Sequence, residues 1–159
     1  MRKFLVILIM VSMLIITFTT FAQTEDIGVN VTSKAAILID ASSKRVMYEK
    51  DADKKLPIAS VTKVMTLLLA FEAIDSGNLT INESITASET AARMGGSQVF
   101  IDAGYNYNVG DMIKSVIIAS GNDAAVLLAE RISGSEDAFV VKMNKRANEL
   151  GMTNTVFKN

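Results

Sequence analysis

Ser60-Val61-Thr62-Lys63 is the place where this sequence could do chemistry. On a helix, residues three apart share a face, so the Lys63 amine can reach the Ser60 hydroxyl. A lysine at its ordinary pKa is protonated at neutral pH and accepts no proton. Burial in an apolar helix disfavours the ammonium form, and the partial positive charge of a helix N-terminus works in the same direction. A neutral Lys63 could then take the hydroxyl proton, while the free backbone N–H groups of the helix start, that of Ser60 included, would form part of an oxyanion hole. The sequence has no histidine and no cysteine. A Ser-His-Asp triad, a Cys-His pair, a helical His zinc motif and a disulfide framework are thereby excluded. The competing reading of these four residues is structural, with Ser60 as a helix N-cap and Lys63 on the surface. Ser-x-x-Lys occurs once in the chain, in a segment with little polar face to carry a decorative lysine.

The second element is Ser-x-Asn, and Ser-Gly-Asn occurs twice, at Ser76-Gly77-Asn78 and at Ser120-Gly121-Asn122. The first copy lies sixteen residues beyond Ser60, about 24 Å along a straight helix. It reads as a C-cap and turn. The second falls in a break between two helices, from which side chains can point into a cleft, and it is the functional candidate. Its structural alternative is again a cap, with Asn122 opening the next helix.

The elements that must position these groups follow from the pattern. Ala35 to Ile39 and Arg45 to Glu49, separated by Asp40-Ala41-Ser42-Ser43, read as strand, turn and strand. From Ser60 to Ile74 the residues are apolar nearly all round, which predicts a buried helix ending at Ser76-Gly77. Residues 79 to 107 read as loop-rich, with a short strand over Glu83 to Ala87. Asn108 followed by Asp111 resembles a capping box that opens a helix through Ile117. Further helices are expected from Asn122 to Ile132 and from Ser135 to Leu150, the last with Phe139, Val140, Met143, Ala147 and Leu150 on one face. One hairpin followed by several helices is an α+β pattern.

At the N-terminus, Met1-Arg2-Lys3 precedes an apolar run from Phe4 to Phe18, and Thr20-Phe21-Ala22 supplies small residues at a cleavage site. Residues 1–22 therefore read as a secretory signal peptide cleaved after Ala22, the alternative being an uncleaved signal anchor. Both readings put residues 23–159, one domain in length, outside the cytoplasm. Removal of Arg2 and Lys3 leaves 14 basic residues against 17 acidic ones, so nucleic acid is not an expected partner.

Four blocks in order carry a resemblance over everything after the leader. They are Ala36-Ile37-Leu38-Ile39-Asp40, Leu56-Pro57-Ile58-Ala59-Ser60-Val61-Thr62-Lys63-Val64-Met65-Thr66, Ile118-Ala119-Ser120-Gly121-Asn122-Asp123-Ala124-Ala125 and Leu150-Gly151-Met152-Thr153-Asn154-Thr155. Together they resemble the low-molecular-weight serine D-alanyl-D-alanine carboxypeptidases, the penicillin-binding enzymes of the peptidase S11 family. The resemblance implies a β-lactamase/transpeptidase-like fold and an enzyme that removes the terminal D-alanine of a peptidoglycan stem peptide through an acyl-enzyme. It implies β-lactam antibiotics as ligands of the same serine, with no metal and no cofactor. Residue by residue, Ser60 matches the acylated serine and Lys63 its proton acceptor. Ser120 matches the serine that relays a proton to the leaving amine, and Asn122 the residue that binds the substrate amide and helps to position Lys63. Gly96-Ser97 resembles a loop bordering the family's active site.

The family also carries Lys-Thr-Gly or Lys-Ser-Gly on a strand that binds the substrate carboxylate and completes the oxyanion hole, and neither tripeptide occurs in these 159 residues. The resemblance thus implies a chain truncated before the C-terminal strands of the sheet, an inactive fragment as it stands, whose peripheral membrane association would run through a C-terminal region outside this sequence. Two other functions share part of this pattern. A class A-type β-lactamase shares Ser-x-x-Lys but carries Asp where Gly121 stands. A non-catalytic peptidoglycan-binding remnant would be distinguished by lacking the carboxylate-binding strand.

Overall fold

A computed structural model describes residues 30–158. The expected signal peptide, residues 1–22, lies outside the described residues. No helix among the described residues is long and apolar enough to cross a membrane. The chain divides between Lys55 and Leu56 into two units.

The first unit is the expected hairpin. Strand β1 (Ala36–Ile39) pairs antiparallel with β2 (Val46–Lys50), with an irregularity in register between Leu38 and Ile39. Asp40 makes the turn: its carboxylate accepts from both the main-chain N–H and the hydroxyl of Ser43, each at 2.6 Å. Those bonds hold the Asp40 carboxyl below its ordinary pKa. Ile37, Leu38 and Ile39 are exposed on the strand.

The second unit is mostly helical. A 3₁₀ turn over Ala59–Thr62 leads into α1 (Lys63–Asp75). The predicted helix thus begins three residues later than Ser60, and Ser60 lies in the tighter turn before it. Burial is also less complete than the apolar pattern predicts. Met65, Thr66, Leu69, Ala70 and Ala73 are buried, whereas Val61, Val64 and Phe71 face outward. The helix ends as expected, with Ser76 as C-cap and its hydroxyl donating to the Glu72 carbonyl.

The region read as loop-rich holds three short elements. Strand β3 (Ser84–Thr86) pairs antiparallel with β4 (Asn106–Asn108), and between them lies the one-turn helix α2 (Glu89–Ala92). Only β3 is legible in the sequence, because three- and four-residue elements show no period. Ser88 caps α2 through its hydroxyl, which accepts from the Ala91 N–H.

Helix α3 (Val109–Ala119) opens on the predicted cap, the Asn108 side chain accepting from the Asp111 N–H. Helices α4 (Asn122–Ser133) and α5 (Glu136–Glu149) follow within a residue or two of their expected bounds. On α5, Phe139, Met143 and Ala147 are buried, while Leu150, expected on the same face, is exposed past the helix end. Helix α4 is central to the unit. Leu127 and Leu128 belong to a core shared with α1, α3 and the β3–β4 ribbon, and Ala129 to a second core with Met65, Leu69 and Phe139. Burial on both sides fixes the axis of α4, and with it the position of the residues at its N-terminus.

Candidate active site

The 3₁₀ turn puts Ser60 one turn ahead of Lys63, and the Lys63 main-chain N–H donates to the Ser60 carbonyl. In such a turn, side chains three apart eclipse, which brings both onto one side. Ser60 is exposed and Lys63 half-buried. Ala59, immediately before the serine, has φ of 46°, a left-handed conformation that costs a side-chain-bearing residue about 1–2 kcal/mol. Neither Ile58, which precedes the turn, nor Thr62, which ends it and precedes α1, makes a side-chain cap bond. Cap bonds do not define this helix start.

Lys63 is not a surface residue. Its ammonium donates to the Asn122 side-chain oxygen at 2.6 Å, across 59 residues of sequence. Partial burial lowers its pKa below the ordinary lysine value, since desolvation disfavours the charged form.

Asn122 is the first residue of α4, and the N-cap position belongs to Gly121. Its side chain is therefore free of capping, which corrects the cap alternative. The amide group instead bridges two segments, with the oxygen on Lys63 and Nδ2 donating to the Gly95 carbonyl at 2.6 Å. The Asn122 main-chain N–H donates to the Ser97 carbonyl at 2.7 Å. The Gly96-Ser97 loop therefore borders the Asn122 side chain. Gly96 has φ of +81°, and a Cβ there would lie 2.7 Å from Asn122 Nδ2, so this approach requires glycine.

Ser120 links α3 to α4 in a left-handed conformation, φ 55° and ψ 34°. Its hydroxyl oxygen is buried and has no hydrogen-bond partner among the described residues. The second Ser-Gly-Asn copy thus contributes Asn122 to the Lys63 cluster and places Ser120 in the adjoining break. The first copy does neither: Asn78 Nδ2 donates to the Ser76 hydroxyl at 3.0 Å, within the C-cap turn of α1.

Sequence reasoning missed Asp123. It is 1% exposed, and its carboxylate accepts from the main-chain N–H groups of Val99, Ile101 and Ala124. The available signal was a single acid in the first turn of α4, amid small apolar residues and without a basic residue one helical turn away. Gly121 fits against this carboxylate, for a Cβ there would lie 2.9 Å from Asp123 Oδ1.

The fold is of the transpeptidase-like type, with a serine exposed on a turn and a partly desolvated lysine one turn further on. The chain belongs to the peptidase S11 family of D-alanyl-D-alanine carboxypeptidases, whose pattern it matches over residues 19–159. It is 44% identical over 156 residues to the D-alanyl-D-alanine carboxypeptidase DacF of Bacillus subtilis, covering 95% of this chain and 40% of that relative. Among solved structures it resembles the D-alanyl-D-alanine carboxypeptidase DacD of Francisella tularensis, with a TM-score of 0.80 and 36% identity over 82% of this chain and 32% of the other. It also resembles the ampicillin-bound penicillin-binding protein D2 of Listeria monocytogenes, with a TM-score of 0.72 and 31% identity over 82% and 52% of the two chains. The chain spans about 40% of the length of the curated relatives it matches. Its fold is accordingly the N-terminal part of the β-lactamase/transpeptidase-like fold.

Proposed function

We propose that this chain carries the nucleophile, base and amide-binding residue of a serine D-alanyl-D-alanine carboxypeptidase. The hydrogen bond from Lys63 to Asn122, at the foot of the turn that exposes Ser60, carries the reading. Ser60 Oγ attacks the carbonyl carbon of the penultimate D-alanine while neutral Lys63 takes the hydroxyl proton. The tetrahedral centre collapses, the C–N bond breaks, and Ser120 gives its proton to the departing D-alanine amine while taking one from the Lys63 ammonium, which returns Lys63 to the neutral amine. Water then attacks the Ser60 ester, releases the shortened stem peptide and restores the serine. Asn122 binds the substrate amide and keeps the Lys63 amine aimed at Ser60. A β-lactam follows the first half of this course, but its leaving nitrogen stays tethered after ring opening, so the acyl-enzyme persists.

Residues 1–22 act in this reading as a secretory signal peptide, and the enzyme works on the outer side of the cytoplasmic membrane. A C-terminal region beyond these residues would supply peripheral attachment to that membrane. The β-lactamase alternative is disfavoured at one position: Gly121 abuts the Asp123 carboxylate, which leaves no room for the aspartate that class A enzymes carry there. Fluorescent penicillin tests the proposal in the protein produced from its own gene. A covalent adduct on the peptide containing Ser60, lost in Ser60→Ala, is expected. Labelling that survives this substitution refutes the assignment.

A further inference from the structure

Asp123 lies beside the proposed machinery without touching the reacting groups, and its burial calls for a cause. An ionised carboxylate is costly to bury unless it is well hydrogen-bonded. Among the described residues it has no cationic partner. It is held by three main-chain donors, Val99 N–H at 3.0 and 3.1 Å to its two oxygens, Ile101 N–H at 3.3 Å and Ala124 N–H at 2.8 Å. Two of these donors come from the loop between α2 and β4 and one from α4. The carboxylate therefore ties the loop to the helix.

The tie distorts the loop. Val99 and Ile101 turn their N–H groups toward one carboxylate, and Phe100 between them takes φ of 59° and is 80% exposed. A bulky residue in that conformation stands only where its surroundings hold it there. A few residues upstream, the same loop supplies the Gly95 and Ser97 carbonyls that hold Asn122, and Asn122 holds Lys63.

We infer that Asp123 is a positioning residue for Lys63, acting through the 95–101 loop, whose Gly95 carbonyl holds the Asn122 side-chain amide that accepts from the lysine ammonium and whose Ser97 carbonyl holds the Asn122 main-chain N–H. Asp123 works at the buried end of this relay and Gly96 at its exposed end, where only a missing Cβ lets the loop approach Asn122. The inference rests on the proposed role of Lys63 for its catalytic consequence but not for its geometry.

The test uses the full chain produced from its gene and has a geometric and a kinetic arm. In the unmutated protein, the Val99 and Ile101 amides should resist hydrogen exchange although they lie in a loop; exchange at the rate of exposed amides would overturn the inference without any variant. Asp123→Asn turns an amide NH₂ toward main-chain donors, and Gly96→Ala pushes on Asn122 from outside the core. Competitive labelling of Lys63 by acetic anhydride should shift in both variants toward the reactivity it has in Asn122→Ala, and unchanged Lys63 reactivity would sink the relay whatever the enzyme does. In the kinetic arm, each variant should slow the maximal rate of penicillin acylation by about a hundredfold, with the noncovalent binding step little changed. Both substitutions act through Asn122, so the double variant should lose no more than the worse single one; losses that multiply would show independent effects and refute the relay. An unmutated protein that takes no penicillin would refute the proposed function, and Lys63 labelling would still decide this inference.

Discussion

A lysine that serves as a base must first give up its own proton. Burial of Lys63 lowers its pKa, so the neutral amine is more available than on an exposed lysine. The acylation rate should therefore rise with pH as Lys63 deprotonates, with a midpoint below the ordinary lysine value near 10.4. Stability follows the same sign. The unfolded chain holds this proton to higher pH than the folded one, so the burial opposes folding below the folded pKa, and the opposition fades as pH climbs toward the ordinary value. Rates of penicillin labelling across neutral and alkaline pH measure the first effect, and a flat profile would exclude Lys63 as the base. Lys63→Arg keeps the charge but cannot release a proton, so acylation should drop by orders of magnitude. Near-normal acylation by that variant would make Lys63 structural only.

At the scale of elements, two copies of one tripeptide have different fates because they stand at different places on helices. Asn78 bonds within the C-cap turn of α1, and its carbonyl accepts from Arg131, a contact a side-chain substitution leaves intact. Asn78→Ala should lower stability by about 1 kcal/mol or less and leave acylation unchanged. Asn122 begins α4, the helix packed into both cores, and so presents its side chain from a fixed point. Asn122→Ala should cost acylation rate at least as much as Asp123→Asn. Parallel melting curves and labelling rates compare Asn122→Ala with Asn78→Ala, and equal catalytic losses from those two variants would overturn the choice of copy.

At the scale of the whole molecule, apolar surface lies open on both units. Ile37, Leu38 and Ile39 are exposed on the hairpin, and Val61, Val64 and Ile118 on the helical unit. Apolar surface of this kind marks places where further structure or a partner packs. These 159 residues contain no Lys-Thr-Gly or Lys-Ser-Gly, so on the proposed function a polypeptide limited to them lacks the motif expected to bind the substrate carboxylate from a strand. Loss of one oxyanion-hole donor alone costs about 2.7–4 kcal/mol of transition-state stabilisation. That polypeptide should release no D-alanine from a stem-peptide mimic, and it should bind hydrophobic dyes and self-associate. Turnover by a soluble, cooperatively melting sample would show that Ser60, Lys63, Ser120 and Asn122 suffice without that strand.

The spacing of Ser60 and Lys63, the hairpin, the start of α3 at Asn108 and the courses of α4 and α5 were all legible in the sequence. Each depends on contacts within a few residues, where period and capping chemistry leave a trace. The 3₁₀ start at Ala59 was not legible, nor was the outward face of α1, because both depend on what packs against the helix. The bond between Lys63 and Asn122 joins residues 59 apart, and those from Asp123 to the loop amides span 22 and 24. Such bonds are set by where α4 lies between its two cores, and no local pattern encodes that position. Sequence thus determined which residues could do chemistry. Tertiary packing decided which of them meet, and made the buried Asp123 part of the same arrangement.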